Sequence, residues 1–198
     1  MAVIGLTGGI GSGKSAVSSY LTSVPRFVHA DADFIAKEVF KCHEREILAL
    51  DMNREWSDHT GVLRSRLFLA MLDSLDLKKQ VEDLVLPGTR KMIEALVDVG
   101  RLFNHDVLLD VPLLFESGLD HLCDVIICVS CTRDEQIRRV KARSGYSDEL
   151  IEKIIATQID ATEREARSDY VVSNNGTIQE LHDSVNAIFK NVQLRIKI

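Results

Sequence analysis

Long apolar runs are missing from this sequence. No stretch reaches the roughly 20 residues that a membrane-spanning helix requires, and no basic segment followed by a cleavable apolar one stands at the N-terminus. Those two absences point to a cytoplasmic protein that does not work in a membrane. An excess of positive charge is missing as well: 24 Lys and Arg face 30 Asp and Glu, for a formal net charge of -6. Binding to a nucleic-acid backbone wants a basic surface that displaces counterions, so a small-molecule substrate is expected rather than a nucleic acid. Cysteine is scarce, at Cys42, Cys123, Cys128 and Cys131. The Cys128-Val129-Ser130-Cys131 spacing resembles a redox or metal half-site, but it follows an apolar run and no second pair completes a zinc site. The thiols are therefore expected to be reduced and mostly small buried residues. With three prolines and eleven glycines in 198 residues, punctuation is sparse, and there is no repeat, low-complexity tract or flexible linker. Such a chain is long enough for one α/β domain with insertions and too short for two full domains plus a linker. No obligate protein partner is evident.

What the sequence does have is Gly8-Gly9-Ile10-Gly11-Ser12-Gly13-Lys14-Ser15, which fits the phosphate-binding loop pattern G-x-x-x-x-G-K-[ST]. It follows an apolar run, Val3 to Leu6, and precedes a helical pattern beginning at Ala16. In that setting glycines let backbone N-H groups point inward around phosphate oxygens, and the next helix presents its positive end to the same anion. ATP with Mg²⁺ is the expected ligand. Gly11, Ser12, Gly13, Lys14, Ser15 and Ala16 would cradle the triphosphate, Lys14 would reach the β- and γ-phosphates, and Ser15 would ligate the metal.

Four continuous apolar runs read as buried parallel strands: Val3 to Leu6, Val107 to Leu109, Val125 to Val129 and Tyr170 to Val172. A weaker fifth spans Arg26 to Ala30. Helical patterns alternate with them, and in the last helix Ile178, Leu181, Val185 and Ile188 recur on one face behind a Thr177/Glu180 capping box. This alternation predicts a three-layer α/β fold on a parallel sheet. Between Phe34 and about Val99 the alternation stops; helical patterns run Phe34 to Phe40, Arg64 to Leu75 and Lys91 to Val99, with no convincing strand. A single domain is expected over 1–198. Its core comprises about 1–33, 100–140 and 163–198, with a helical acceptor-binding insertion at about 34–99 and a lid at about 141–162.

Several polar groups fall where strands end, the rim at which α/β sheets bind ligands. Asp31-Ala32-Asp33 opens a helix after the weak strand. Aspartate is among the best N-caps, so capping is one reading; the other is a carboxylate that orients an acceptor hydroxyl and takes its proton. Asp110, after the third strand, resembles a residue that holds Mg²⁺, while Val111 to Phe115 suits packing against a flat apolar group. Glu116 is either a polar contact or solvated. Thr132 to Glu135 reads as a capping box, and Gln136, Arg139 and Arg143 share one face of the following helix. That face is either solvated or the edge of an arginine-bearing lid closing over phosphates. Asn175-Gly176 reads as a turn.

Taken together, Gly5 to Ser15, Asp31-Ala32-Asp33 with Ile35-Ala36, Asp110-Val111-Pro112-Leu113-Leu114-Phe115-Glu116, the Gln136, Arg139, Arg143 face, Gln158 and Ser168 to Gly176 resemble the dephospho-coenzyme A kinase family. The resemblance implies transfer of the γ-phosphoryl group of ATP to the ribose 3'-hydroxyl of dephospho-coenzyme A, the last step of coenzyme A synthesis. It implies that Asp33 is the carboxylate at the acceptor hydroxyl and Arg143 a lid arginine. Thr7, Pro112, Leu113 and Glu116 would lie at the acceptor, and Arg139, Asn175 and Gly176 at ATP. The chain departs from the family pattern at Thr60 to Arg66, where Ser65 takes the place of an arginine, and at Leu86-Pro87, where the family has His-Pro. A nucleoside or nucleotide kinase shares the loop, the helical insertion and the lid but not the Asp-Ala-Asp and Pro-Leu-Leu-Phe-Glu segments. A GTP-dependent switch would need Asn-Lys-x-Asp, which does not occur, and its Asp58-x-x-Gly61 match follows no apolar strand. A relative that binds ATP without turnover is the remaining alternative.

Overall fold

The computed structural model describes residues 1–23 and 27–196, so Arg26, expected to open the second strand, lies outside the described residues. In chain order the elements are β1 (Val3–Thr7), α1 (Lys14–Thr22), β2 (Phe27–Asp31), α2 (Ala32–Cys42), α3 (Glu44–Ala49), β3 (Ser57–Asp58), β4 (Gly61–Val62), α4 (Arg64–Asp73) and α5 (Leu75–Phe103). There follow β5 (Asp106–Asp110), β6 (Val125–Ser130), α6 (Arg133–Ser144), α7 (Asp148–Ala156), α8 (Ala161–Ala166), β7 (Tyr170–Ser173) and α9 (Ile178–Ile196). Two compact units result: residues 1–31 with 96–198, and residues 32–95.

In the first unit five parallel strands hydrogen-bond in the order β2-β5-β1-β6-β7. The central strands β5, β1 and β6 are continuous apolar runs because both of their faces are covered, whereas the edge strands β2 and β7 are partly exposed. On one face Ile4, Leu6, Leu108, Ile127, Val129 and Val172 pack with Val17 and Leu21 of α1 and with Leu181 and Val185 of α9. Burying each such side chain contributes roughly 1.5–3 kcal/mol, enough to order the sheet against its chain entropy. The expected capping box of α9 is present: Thr177 N donates to Glu180 Oε2 at 2.7 Å, and Glu180 N donates to Thr177 Oγ1 at 3.3 Å. Ile178 departs from the expected face at 58% exposure. It is the first residue of α9, where the chain enters from the exposed Asn175-Gly176 bend.

Parallel strands all present their carboxyl ends to one rim, and here each ends on a polar residue: Thr7, Asp31, Asp110, Ser130 and Ser173. The phosphate-loop segment leaves that rim from the central strand.

The second unit is helical apart from the short β3–β4 hairpin, which the sequence pattern did not show. The Asp58-x-x-Gly61 segment is its turn, with Asp58 Oδ1 accepting from Thr60 N at 2.7 Å. Buried Asp51 accepts from Glu55 N at 2.8 Å and Trp56 N at 3.1 Å, an Asx arrangement that α3 and the hairpin share as a junction. The helix expected over Arg64 to Leu75 ends at Asp73, because Ser74 is extended and accepts from Leu77 N at 3.2 Å to start α5. That helix is longer than its pattern suggests and runs straight through Pro87. An interior proline costs about 3 kcal/mol. It is outweighed by a stripe at i+4 spacing, Val81, Val85, Thr89, Ile93 and Val97, all buried.

Candidate active site

The loop after β1 turns through Gly11 and Gly13, whose φ angles of 74° and 92° lie in the left-handed region that glycine alone enters freely. At Gly13 space is decisive too, since a Cβ there would stand 2.0 Å from Asn174 Nδ2. Gly13 is the N-cap of α1, so the N-H groups of Lys14 and Ser15 precede any intrahelical acceptor and face an anion with the helix dipole behind them. The loop is braced from outside. Asn174 Nδ2 donates to Ser12 O at 2.8 Å, and Arg139 donates from Nη1 to Ser12 O at 3.3 Å and from Nη2 to Asn174 O at 2.9 Å.

Lys14 Nζ is paired with Asp110 Oδ1, with only 12% and 5% of the two side chains exposed. His29 Nε2 lies 3.5 Å from Asp110 Oδ2 and 3.4 Å from Ser18 Oγ. Burial would raise the Asp110 carboxyl, but hydrogen bonds from His29 and Lys14 and the Lys14 charge outweigh it, so its pKa lies below the ordinary carboxylate range. Asp31 is in register with Asp110 across the β2–β5 pair, and ligating atoms of His29, Asp31 and Asp110 lie within 4.8 Å of one another. With the exposed Ser15 hydroxyl on the first turn of α1, the rim offers hard oxygen donors of the kind Mg²⁺ takes. Asp33 stands in the first turn of α2, in the second unit.

Thr7, fully buried, donates from Oγ1 to Pro112 O at 2.9 Å and so anchors the segment after β5. Within that segment Leu114 and Phe115 are buried, Leu113 is 42% exposed, and Arg167 stacks over the Phe115 ring at 4.3 Å. Glu116 accepts from Ile159 N at 2.9 Å and lies 4.0 Å from buried Arg164.

Along α6, Gln136 is buried, Arg139 half-buried and Arg143 exposed in the last turn. The capping box expected at Thr132 to Glu135 does not form. Thr132 is the N-cap by position, but its N-H donates to Asn175 Oδ1 at 2.9 Å, and Glu135 instead accepts from Arg138 Nε and Arg139 Nε, each at 2.7 Å. Two guanidinium partners satisfy a carboxylate better than one amide; the hydrogen bonds from Arg138 lead in holding the Glu135 pKa down to about 2. Asn175 and Gly176 form the bend between β7 and α9. The four thiols are free, Cys128 buried and Cys42 exposed, and burial pushes Cys123 up to about 12 and Cys128 up to about 11. At neutral pH these two are thiols, packed rather than reactive.

A family model described as dephospho-CoA kinase matches residues 2–180, across the loop, the Asp31 to Asp33 segment, the Pro112 to Glu116 segment, α6 and Asn175-Gly176. The chain belongs to the dephospho-CoA kinase family. Among the similar proteins, a dephospho-CoA kinase of Geobacillus kaustophilus is 36% identical over 194 residues, covering 94% of each chain. A dephospho-CoA kinase of Fusobacterium nucleatum is 32% identical over 192 residues, covering 96% of this chain and 98% of its own. A crystal structure from Thermus thermophilus superposes with a TM-score of 0.80 at 29% identity, over 96% of this chain and 97% of that one.

For a dephospho-CoA kinase chain the sequence reading left three residues of the loop's surroundings without a role. His29 interrupts an apolar strand, which marks it only as unusual. Asn174 sits beside the Asn175 that was singled out, and nothing in spacing separates the two. Arg164 belongs to a charged helical stretch that reads as solvated, yet it is 4% exposed. Gln158 belongs to the family resemblance, but only the fold shows that its Oε1 accepts from Ile10 N at 3.1 Å, joining segments 148 residues apart.

Proposed function

We propose that this chain transfers the γ-phosphoryl group of ATP to the 3'-hydroxyl of the ribose of dephospho-coenzyme A, giving coenzyme A and ADP. The observation that carries the reading is the phosphate seat in a chain of this family: a glycine loop on a helix N-terminus, with a lysine held at its edge by a buried, ionised aspartate. Gly11 to Ala16 bind the triphosphate through backbone N-H groups. Lys14, exchanging Asp110 for the β- and γ-phosphate oxygens, stabilises the charge that develops as the β–γ bridging bond breaks. Ser15 would hold the Mg²⁺ that accompanies the nucleotide, which supplies charge neutralisation on the phosphates. Asp33 accepts the proton of the 3'-hydroxyl as its oxygen bonds to the transferring phosphorus. Pro112 and exposed Leu113 offer the acceptor an apolar edge that Thr7 fixes from below, and Arg139, Asn175 and Gly176 flank the nucleotide.

The test is acceptor-dependent ADP release across dephospho-coenzyme A, adenosine, AMP and other nucleotides, with the product phosphate located by phosphorus NMR. Dephospho-coenzyme A should be preferred and the new phosphate should sit on the 3'-oxygen. Binding energy from the long pantetheine arm, remote from the reacting oxygen, orients that oxygen, so truncated acceptors should lose rate as well as affinity. Preference for a nucleoside monophosphate would overturn the assignment. Ser65 and Leu86, where the family pattern has Arg and His, are both exposed, and Arg64 and Arg66 on either side of Ser65 are exposed as well and are the candidates to take the missing arginine's place.

Residues 141–162 act as the lid, with Arg143 its catalytic arginine. Arg143→Ala should lower kcat by at least about tenfold, since an arginine on transferring phosphates gains when water is excluded. Arg138→Ala should change it by less than about threefold, because Arg138 is exposed and spent on Glu135. Equal small losses would return the basic face to a solvated role.

A further inference from the structure

The backbone of Ile10 in the phosphate loop is gripped on both sides by side chains from outside the loop. Its N-H donates to Gln158 Oε1 at 3.1 Å and its carbonyl accepts from Gln136 Nε2 at 3.0 Å. The backbone of Ile159, next after Gln158, is gripped in the same way, with Ile159 N donating to Glu116 Oε1 at 2.9 Å and Ile159 O accepting from Arg164 Nη2 at 2.9 Å. Arg164 is 4% exposed, its Nε is buried without a partner, and Glu116 at 4.0 Å is the carboxylate that neutralises it. A Cβ on Gly9 would stand 3.1 Å from Arg164 Nη1, so the guanidinium lies against the loop itself. These groups form one connected path from the end of the β5 segment, through the residues between α7 and α8, to the outermost turn of the phosphate loop.

We propose that Gln158, Arg164 and Glu116 are positioning residues for the nucleotide, holding the Gly9–Ile10 turn so that the loop N-H groups converge on the phosphates. A glycine-rich turn loses much conformational entropy on ordering, and a turn already held by its neighbours binds without that loss. Glu116 acts through Ile159 and Arg164 and not by touching the acceptor, which departs from the role its family resemblance suggests. Its carboxylate is occupied by an N-H and by a buried cation that would be costly to leave unpaired. Gln136 is the second grip on the same residue, through the Ile10 carbonyl.

The inference rests on the loop being the ATP site, and the experiment separates the two. ATP affinity is measured by calorimetry on the full chain with Mg²⁺ and no acceptor, for wild type, Gln158→Met, Glu116→Ala and Glu116→Gln, alongside steady-state KM for each substrate. Gln158→Met and Glu116→Ala should each weaken ATP binding by about tenfold, the scale of one unmade buried hydrogen bond, with the acceptor KM unchanged. Glu116→Gln should recover part of that loss, because its amide oxygen still accepts from Ile159 N. Circular dichroism reports folding; if Glu116→Ala does not fold, Gln158→Met and Glu116→Gln carry the test. Unchanged ATP affinity with a raised acceptor KM in the Glu116 variants would overturn the proposal in favour of acceptor contact. Unchanged affinity in all the variants would overturn it outright. Failure of wild type to bind ATP would instead remove the nucleotide assignment on which both rest.

Discussion

Lys14→Ala should lower ATP turnover by about 100- to 1,000-fold, the range seen when a donor to developing charge is deleted from a preorganised site. Lys14 lies on a loop–helix junction rather than in the apolar core, so the fold should survive. It will not be untouched, because Lys14 is one partner of a largely buried pair. Removing one member of such a pair costs about 3–5 kcal/mol when nothing replaces it; here His29 stays beside Asp110, so a smaller loss is expected, within the about 5–15 kcal/mol that domains possess. The pH dependence of unfolding tells the two effects apart. Asp110 has a lowered folded-state pKa, so its ionised form contributes stability that is present above the unfolded carboxylate pKa and is lost as pH falls through the folded value. Without Lys14 the folded pKa should rise, and the acid limb of the stability curve should shift to higher pH. Thermal melts from neutral to acid pH check the shift, and ADP release checks the rate. A variant with wild-type phosphoryl transfer would end the assignment of this loop.

Asp33→Asn should reduce kcat by about 100- to 10,000-fold with ATP affinity retained, whereas Asp31→Asn should have a smaller effect. Asparagine keeps the size and polarity of aspartate without its basicity; at Asp31, which directly precedes α2, it also serves nearly as well as a cap, whereas Asp33 lies inside the first turn and is not at the cap position. The two carboxylates also sit in different settings. Asp31 ends β2 with its carboxylate within 4.8 Å of the ligating atoms of His29 and Asp110. Asp33 is exposed in the first turn of α2. Single-turnover rates at saturating ATP, with nucleotide binding measured separately, distinguish loss of the base from loss of the nucleotide. Full turnover in both Asn variants would discard Asp33 as the base and leave Asp31 as a helix cap.

The parts of the fold legible in the sequence are those with a local cause. Apolar runs at Val3 to Leu6, Val107 to Leu109, Val125 to Val129 and Tyr170 to Val172 became β1, β5, β6 and β7 within a residue or so at each end; for the three central strands the cause is burial on both faces, which needs unbroken hydrophobicity, while β7 at the edge buries Val172 alone. The capping box of α9 formed as written, since its two partners are three residues apart. The second unit was harder. The α5 helix hides behind Pro87, which argues locally for a break that only the buried stripe from Val81 to Val97 overrides. The same-looking box at Thr132 failed because Arg138 and Arg139 competed successfully for Glu135.

By itself the sequence determined the chemistry of the phosphate seat: the glycines, Lys14 and Ser15 are contiguous, and a strand on one side with a helix on the other suffices to aim their N-H groups. The resemblance of the Asp31 to Asp33 and Pro112 to Glu116 segments then pointed to one kinase family. Only the tertiary structure decided which distant groups serve that seat. Asp110 reaches Lys14 across 96 positions, Asn174 reaches Ser12 across 162, and Gln158 reaches Ile10 across 148. No periodicity or spacing encodes such pairs, because strand order places them together, and burial is what turns a charge such as Arg164 from a solvated side chain into one that must be paired.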